Sequence, residues 1–293
     1  MTPLQRLWEA DDLIRDPLPS GSRRGGGMPQ ELARLYDGDL AVDLRPDRPT
    51  LVANFVTTLD GVVALGEPGT TGGGEISGFA EVDRFVMALL RALADAVVVG
   101  GGTLRAAPGH EWTPRGIHPP SAPSCAAWRT RLGLAGAQPR TVVVSGSGQL
   151  DPSHRGLRAP DVPVTVVTTR AGHAHLAGLH MPPGVRVATA GAGTRVEPEA
   201  ILATLRADGA SLALCEGGPH LIAGLLAAGL ADELFLTLAP QVVGRDDAVR
   251  RLALVEGLAL PAGPGRWADL RSVRRGGDLL FLRYRFGGAP RVS

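Results

Sequence analysis

The residues Leu214-Cys215-Glu216-Gly217-Gly218-Pro219-His220-Leu221 decide the fold class. An apolar strand pattern over 211–215 runs into two glycines, and a proline then opens an apolar helical pattern that reaches Ala228 and stops at Gly229. Proline suits the first turn of a helix, where the N–H it lacks would have no partner anyway. Such a turn aims backbone N–H groups and the positive end of a helix dipole past the strand end, so it can hold an anion without a basic side chain. A tight crossover turn would use the same two glycines with no ligand.

The same unit recurs upstream, where Ala96-Val97-Val98-Val99 leads into Gly100-Gly101-Gly102-Thr103-Leu104-Arg105. Short β-branched runs at 141–144, 163–168, 185–189 and 233–238, with one starting at Leu51, are almost continuously apolar, as in strands covered on both faces. Helical patterns at 79–94, 196–207 and 219–228 lie between them, which implies right-handed βαβ units. The runs 269–275 and 279–286, joined by Gly276-Gly277-Asp278, form a hairpin pattern. The expected fold is α/β: a mainly parallel central sheet with helices on both faces and an antiparallel C-terminal hairpin. Both glycine turns then open on one crevice at the carboxyl ends of the strands, where ligands bind in open α/β sheets.

Outside that core, residues 1–48 read as an extension, with an amphipathic stretch at Leu4, Leu7 and Trp8 and a flexible linker through Gly21-Ser22-Arg23-Arg24-Gly25-Gly26-Gly27. Residues 49–288 read as the catalytic domain. The proline-rich segment 106–140, with one short helix near 126–132, reads as a lid or binding loop, or else as local disorder.

Composition narrows the chemistry. None of the 30 basic residues is lysine, which removes Schiff-base, P-loop and Tyr/Lys dehydrogenase mechanisms. The formal net charge of +1 offers no face for nucleic acid, so a small molecule is the expected partner. Cys125 and Cys215 are too few for a disulfide framework or a zinc site, and no apolar run reaches membrane-spanning length; a soluble cytoplasmic protein is expected.

Taken together, Thr57-Thr58-Leu59-Asp60-Gly61, Leu90-Arg91-Ala92-Leu93-Ala94-Asp95 with its following Gly-Gly-Gly-Thr, Glu216-Gly217-Gly218-Pro219, Ala231-Asp232-Glu233-Leu234 and Ala239-Pro240 resemble the C-terminal reductase domain family of riboflavin biosynthesis, which is similar in fold to dihydrofolate reductase. Around Ala53-Asn54-Phe55 and Asp83-Arg84-Phe85 the chain is most similar to the actinobacterial stand-alone branch. No His-x-Glu with Pro-Cys-x-x-Cys occurs, so the deaminase half of the bifunctional enzymes is not expected.

The resemblance implies NADPH held by Val56, Gly101, Thr103, Ser145 and the turn Gly217, Gly218, Pro219, His220, Leu221 and Ile222, His220 through its backbone. It implies substrate contacts from Arg91 and Glu216, a pyrimidine-type (5-amino-6-ribosylamino-uracil-like) substrate, and a homodimer paired through its sheets. Dihydrofolate or another heterocycle is the alternative substrate, and a non-catalytic NADPH-binding regulator the alternative of another class. Hydride transfer needs no metal.

Asp83, early in helix 79–94 after a Ser77 cap, is a candidate to face the nicotinamide and bond a heterocycle, or else it complements the helix dipole. Asp60 either bonds substrate or shapes its own turn. Glu216 ends a strand in a buried setting and needs a partner or a raised pKa. Arg91 either clamps a substrate phosphate or pairs with Asp95. Arg105 and Arg170 are candidates for the cofactor 2′-phosphate, with solvated surface arginine as the alternative.

Overall fold

The structure is a computed structural model and describes residues 1–15, 22–66, 73–260 and 266–287. Its strands are β1 (Gln5–Glu9), β2 (Arg23–Gly25), β3 (Ala41–Asp43), β4 (Thr50–Thr57), β5 (Ala96–Gly100), β6 (Arg140–Val144), β7 (Val164–Thr168), β8 (Val185–Thr189), β9 (Leu212–Cys215), β10 (Glu233–Leu238), β11 (Ala268–Gly276) and β12 (Leu279–Phe286). Ten of them form one sheet in the order β1-β11-β12-β10-β4-β9-β5-β6-β7-β8, while β2 and β3 pair separately. From β10 through β8 the pairings are parallel. The hairpin β11–β12 and its junctions with β10 and β1 are antiparallel.

The continuous apolar runs are explained by a core on each face. In β5, Val97 and Val99 face one core and Ala96 and Val98 the other, the period-2 alternation of a strand buried on both sides. Helix Glu81–Leu93 presents Phe85, Val86, Leu89, Leu90 and Leu93 to the first core. Helices Pro198–Ala207 and Pro219–Ala227 present Ile201, Leu205, Ile222 and Leu225 to the second. Each of these side chains, at 4% exposure or less, contributes roughly 1.5–3 kcal/mol.

Three expectations need correction. The amphipathic stretch at Leu4, Leu7 and Trp8 does not stand apart from the core: Gln5–Glu9 form β1, which pairs with β11 and covers the margin of the C-terminal hairpin. The glycine–arginine run is not a linker over Ser22–Gly27, because β2 pairs with β3 and the Trp128 Nε1–H donates to the Gly26 carbonyl at 3.1 Å; Gly21 lies outside the described residues. The segment 106–140 is not disordered. It carries helices Pro114–Ile117 and Ala122–Arg131, buries Trp112 and Trp128, and Arg129 donates to the carbonyls of Ala92 and Ala94 at 2.9 and 2.6 Å, which caps helix Glu81–Leu93.

Arginines fasten the N-terminal segment to the sheet. Arg274, 1% exposed, lies 4.0 Å from the Tyr36 ring centroid and donates to the Tyr36 carbonyl and to Glu9. Arg283 pairs with Glu233 and donates to the Ala41 carbonyl, and Arg48 forks onto Asp232. Leu32, Tyr36, Leu40 and Val42 complete the first core.

Candidate active site

The carboxyl ends of β4, β5, β6, β9 and β10 open on one side of the sheet, and both glycine turns sit there in mutual contact. A Cβ added to Gly218 would lie 3.4 Å from Thr103 Oγ1; one on Gly101 would lie 3.0 Å from Ser145 Oγ; one on Gly217 would lie 3.3 Å from the Gly100 nitrogen. Gly101, Thr103, Ser145, Gly217 and Gly218 therefore form one cradle, crowded at Gly101 and Gly217 and with ordinary contact room at Gly218. Gly218 is the N-cap of the nine-residue helix Pro219–Ala227; Pro219 has no N–H and the Leu221 N–H donates to the Gly218 carbonyl at 2.9 Å, so the helix start offers an anion the positive end of its dipole and the His220 N–H. These features suit a dinucleotide pyrophosphate.

The flanking side chains divide. Pro219 and Ile222 are buried, with Ile222 in the second core, and the His220 ring turns away to the Glu256 carbonyl at 3.2 Å, so these three offer backbone only. Leu221 packs under Gly217. Arg105 donates to the Gln149 carbonyl at 3.1 Å, over the loop after β6, and Arg170 opens helix Arg170–Ala177 with its backbone N–H on the Gly191 carbonyl. Thr168 Oγ1 donates to the Ser145 carbonyl and Thr169 Oγ1 to that of Gly146, which joins the β6 and β7 ends near both arginines.

Asp83 lies against β10. Its side chain is buried, and Oδ1 accepts from Thr237 Oγ1 at 2.8 Å; Thr237 is the parallel-register partner of Val56, which places Val56 beside the carboxyl. Burial pushes the Asp83 carboxyl up to about 6, against the opposing hydrogen bonds from Thr237 and Ser77 and with some help from the Glu216 charge. Ser77 is not the helix cap. The helix starts at Glu81 with Ala80 at its N-cap, and Ser77 spends its hydroxyl on Asp83 and the Gly74 carbonyl.

Glu216 and Arg91 form a fork: Nε donates to Oε1 at 2.9 Å and Nη2 to Oε2 at 2.7 Å. Arg91 has no exposed surface, and its Nη1 donates to the carbonyls of Glu111 and Thr113 at 3.2 Å each. Its remaining N–H meets His110 Nε2 at 2.9 Å. All five donors are thus spent inside the protein, and neither of the two roles expected for Arg91 fits. No donor remains for a substrate phosphate, and Asp95 pairs instead with Arg24 and the Ser211 and Leu212 N–H groups.

Asp60 is exposed and shapes its surroundings. It accepts from Thr58 Oγ1 at 2.6 Å and from the Gly244 N–H at 2.7 Å; these bonds, the Thr58 hydroxyl foremost, hold its carboxyl below the usual range. A cavity of about 520 Å³ opens between Ser77–Val82, Pro240–Gln241 and the turn Gly276–Leu279. It shares Ser77 with the Asp83 environment but no wall with the glycine cradle, so the convergent polar groups mark the site better than the cavity does.

Thr237 and His110 escaped the sequence reading. Thr237 is an inward hydroxyl in an apolar strand, explained only by the Asp83 carboxyl to which it donates, far away in the sequence. His110 lies in a proline-rich stretch with no glycine motif; its closeness to Trp112 was the available signal.

Comparison with known proteins bears on this site. Residues 49–281 match the RibD C-terminal domain. The 2,5-diamino-6-ribosylamino-4(3H)-pyrimidinone 5′-phosphate reductase of Methanothermobacter thermautotrophicus is 32% identical over 234 residues, 80% of this chain and 96% of that protein. A pyrimidine reductase-like protein from Corynebacterium diphtheriae superposes with a TM-score of 0.64 at 25% identity over 82% of this chain and 93% of its own. RibD of Acinetobacter baumannii shares the fold, with a TM-score of 0.59 at 21% identity over 82% of this chain and 59% of its own. With residues 49–281 matching, most of its length, this chain belongs to the RibD C-terminal domain family.

Proposed function

We propose that the protein is an NADPH-dependent reductase of a ribosylamino-pyrimidine, acting by hydride transfer. The observation that carries this reading is the pair of carboxyl groups beside the glycine cradle: one, Asp83, pushed up to about 6 by burial, the other, Glu216, forked by a buried arginine. Two carboxyls separated in this way take different roles. NADPH, when bound, supplies the hydride.

The chain's own residues do the rest. The cradle orients the dinucleotide through backbone N–H groups, and Arg105 and Arg170 stand where a 2′-phosphate would favour guanidinium. Glu216, with each oxygen already accepting from Arg91, offers its remaining lone pairs to ring or amino N–H donors of the substrate. Thr237 fixes Asp83 Oδ1, and the protonated Asp83 carboxyl donates to the nitrogen or oxygen on which charge builds as the acceptor carbon is reduced. A cytoplasmic homodimer belongs to the same reading. With β11 covered, its interface would involve exposed Leu7, Trp8 and Trp267, and light scattering at micromolar concentration would show double the chain mass.

The test is NADPH oxidation followed at the nicotinamide absorbance band with the relative's pyrimidinone phosphate, its 5-amino-uracil counterpart and dihydrofolate. Turnover on a ribosylamino-pyrimidine and none on dihydrofolate is expected, with calorimetry giving tighter binding of NADPH than NADH. Tight NADPH binding without turnover on any of them would refute the enzymatic reading.

A further inference from the structure

We infer that His110 is a positioning residue: its ring accepts the last N–H of Arg91 and so fixes the plane in which Arg91 presents the Glu216 carboxylate to the cleft. The inference rests on the reading of Glu216 as a substrate contact.

The arithmetic of donors is closed. A guanidinium has five N–H groups and accepts nothing. Glu216 takes two, the carbonyls of Glu111 and Thr113 take two, and His110 Nε2, 2.9 Å from Nη2, takes the fifth. His110 Nε2 must therefore present a lone pair, which puts the ring proton on Nδ1 and leaves the ring neutral. Burial and the Arg91 charge push the His110 pKa down to about 3, so the ring keeps this form throughout the neutral range.

His110 is also held from behind. Its ring meets Trp112 edge-on, with centroids 5.0 Å apart, and Trp112 stacks on His154 at 5.9 Å. His154 Nδ1 accepts from the Gly156 N–H at 2.9 Å, so its Nε2 is the donor to the carbonyls of Leu104 and Ala107 at 2.9 and 3.0 Å, at the end of helix Gly101–Ala106. Gly156 permits this stack, since a Cβ there would strike Trp112 at 2.7 Å. A rib of three rings thus runs from the helix of one glycine turn to the arginine that orients the glutamate beginning the other.

Removal of His110 leaves four of the five bonds and both cores in place, so the loss falls on orientation rather than on folding. His110→Leu, measured in the full chain, is expected to raise KM for the pyrimidinone phosphate about tenfold, with kcat and the NADPH dissociation constant within about threefold of wild type. Amide hydrogen exchange over residues 212–221 should accelerate without ligand. His110→Gln, whose amide oxygen reaches the Nε2 position, should restore both. Unchanged KM and exchange in His110→Leu, or a His110→Gln as defective as His110→Leu, would overturn the inference. If the wild-type chain does not reduce the pyrimidinone, the reductase reading fails, and the exchange comparison of the two variants still decides the role of His110.

Discussion

Asp83→Asn should make the protein more stable and nearly inactive at once. A carboxyl whose folded pKa is raised from 3.8 to about 6 binds its proton more tightly in the folded state, so stability declines as pH rises through that window. The shift corresponds to about 3 kcal/mol of destabilisation once pH is well above 6. Asparagine is neutral at every pH and keeps an acceptor for Thr237 Oγ1, so it escapes this cost. Urea unfolding of the ligand-free protein should show the two forms equal near pH 4 and the variant ahead by about 2–3 kcal/mol at pH 8. All other titrating groups cancel in the difference. Because asparagine cannot give up a proton as the acid does, turnover should fall by about 10²-fold or more, while NADPH affinity stays near wild type. The wild-type kcat/KM should also fall above pH 6 as Asp83 ionises. Parallel stability curves would show that Asp83 is an ordinary carboxylate, and full turnover in the variant would remove it from proton transfer.

Gly218→Asp should abolish NADPH binding in a folded protein, because the carboxylate would stand at the helix N-cap where a pyrophosphate belongs; calorimetry with unchanged affinity would reduce the turn to a crossover. Arg91→Met strands a buried glutamate and three further partners, so it should cost about 3–5 kcal/mol in urea unfolding, and a loss under 1 kcal/mol would contradict the closed network. Asp60→Asn should leave kcat and KM within about twofold, since both carboxyl oxygens already serve the Thr58 hydroxyl and the loop at Gly244; a large loss of kcat would return Asp60 to the chemistry.

What could be read from the sequence was what depends on neighbours in the chain. A strand buried on both faces needs an apolar residue at every position, so Val97-Val98-Val99 announces itself, and two glycines before a proline constrain the backbone wherever they occur. Pairings between distant residues stayed hidden. β1, Gln-Arg-Leu-Trp-Glu, is mostly exposed and becomes a strand only through β11, more than 260 residues away. Arg91 looked available because its partners sit 19 to 125 residues downstream. The prolines of 106–140 read as loop, yet Pro114 and Pro123 occupy first helical turns, where proline does no harm. His110, a single ring in that stretch, acquires meaning only once Arg91 is seen to need a fifth acceptor.

The match to the family begins at residue 49, but the folding unit does not. A fragment cut at that boundary would retain the glycine cradle and both carboxyl groups. It would also lose β1 from the sheet margin, pull Leu32, Leu40 and Val42 out of the first core, and leave the Arg274 guanidinium without Tyr36 and Glu9. The opened margin of β11 would then be free to recruit a strand from another molecule. Where the family match starts is a poor guide to where this protein can be severed, since β1 borders the sheet from outside that match.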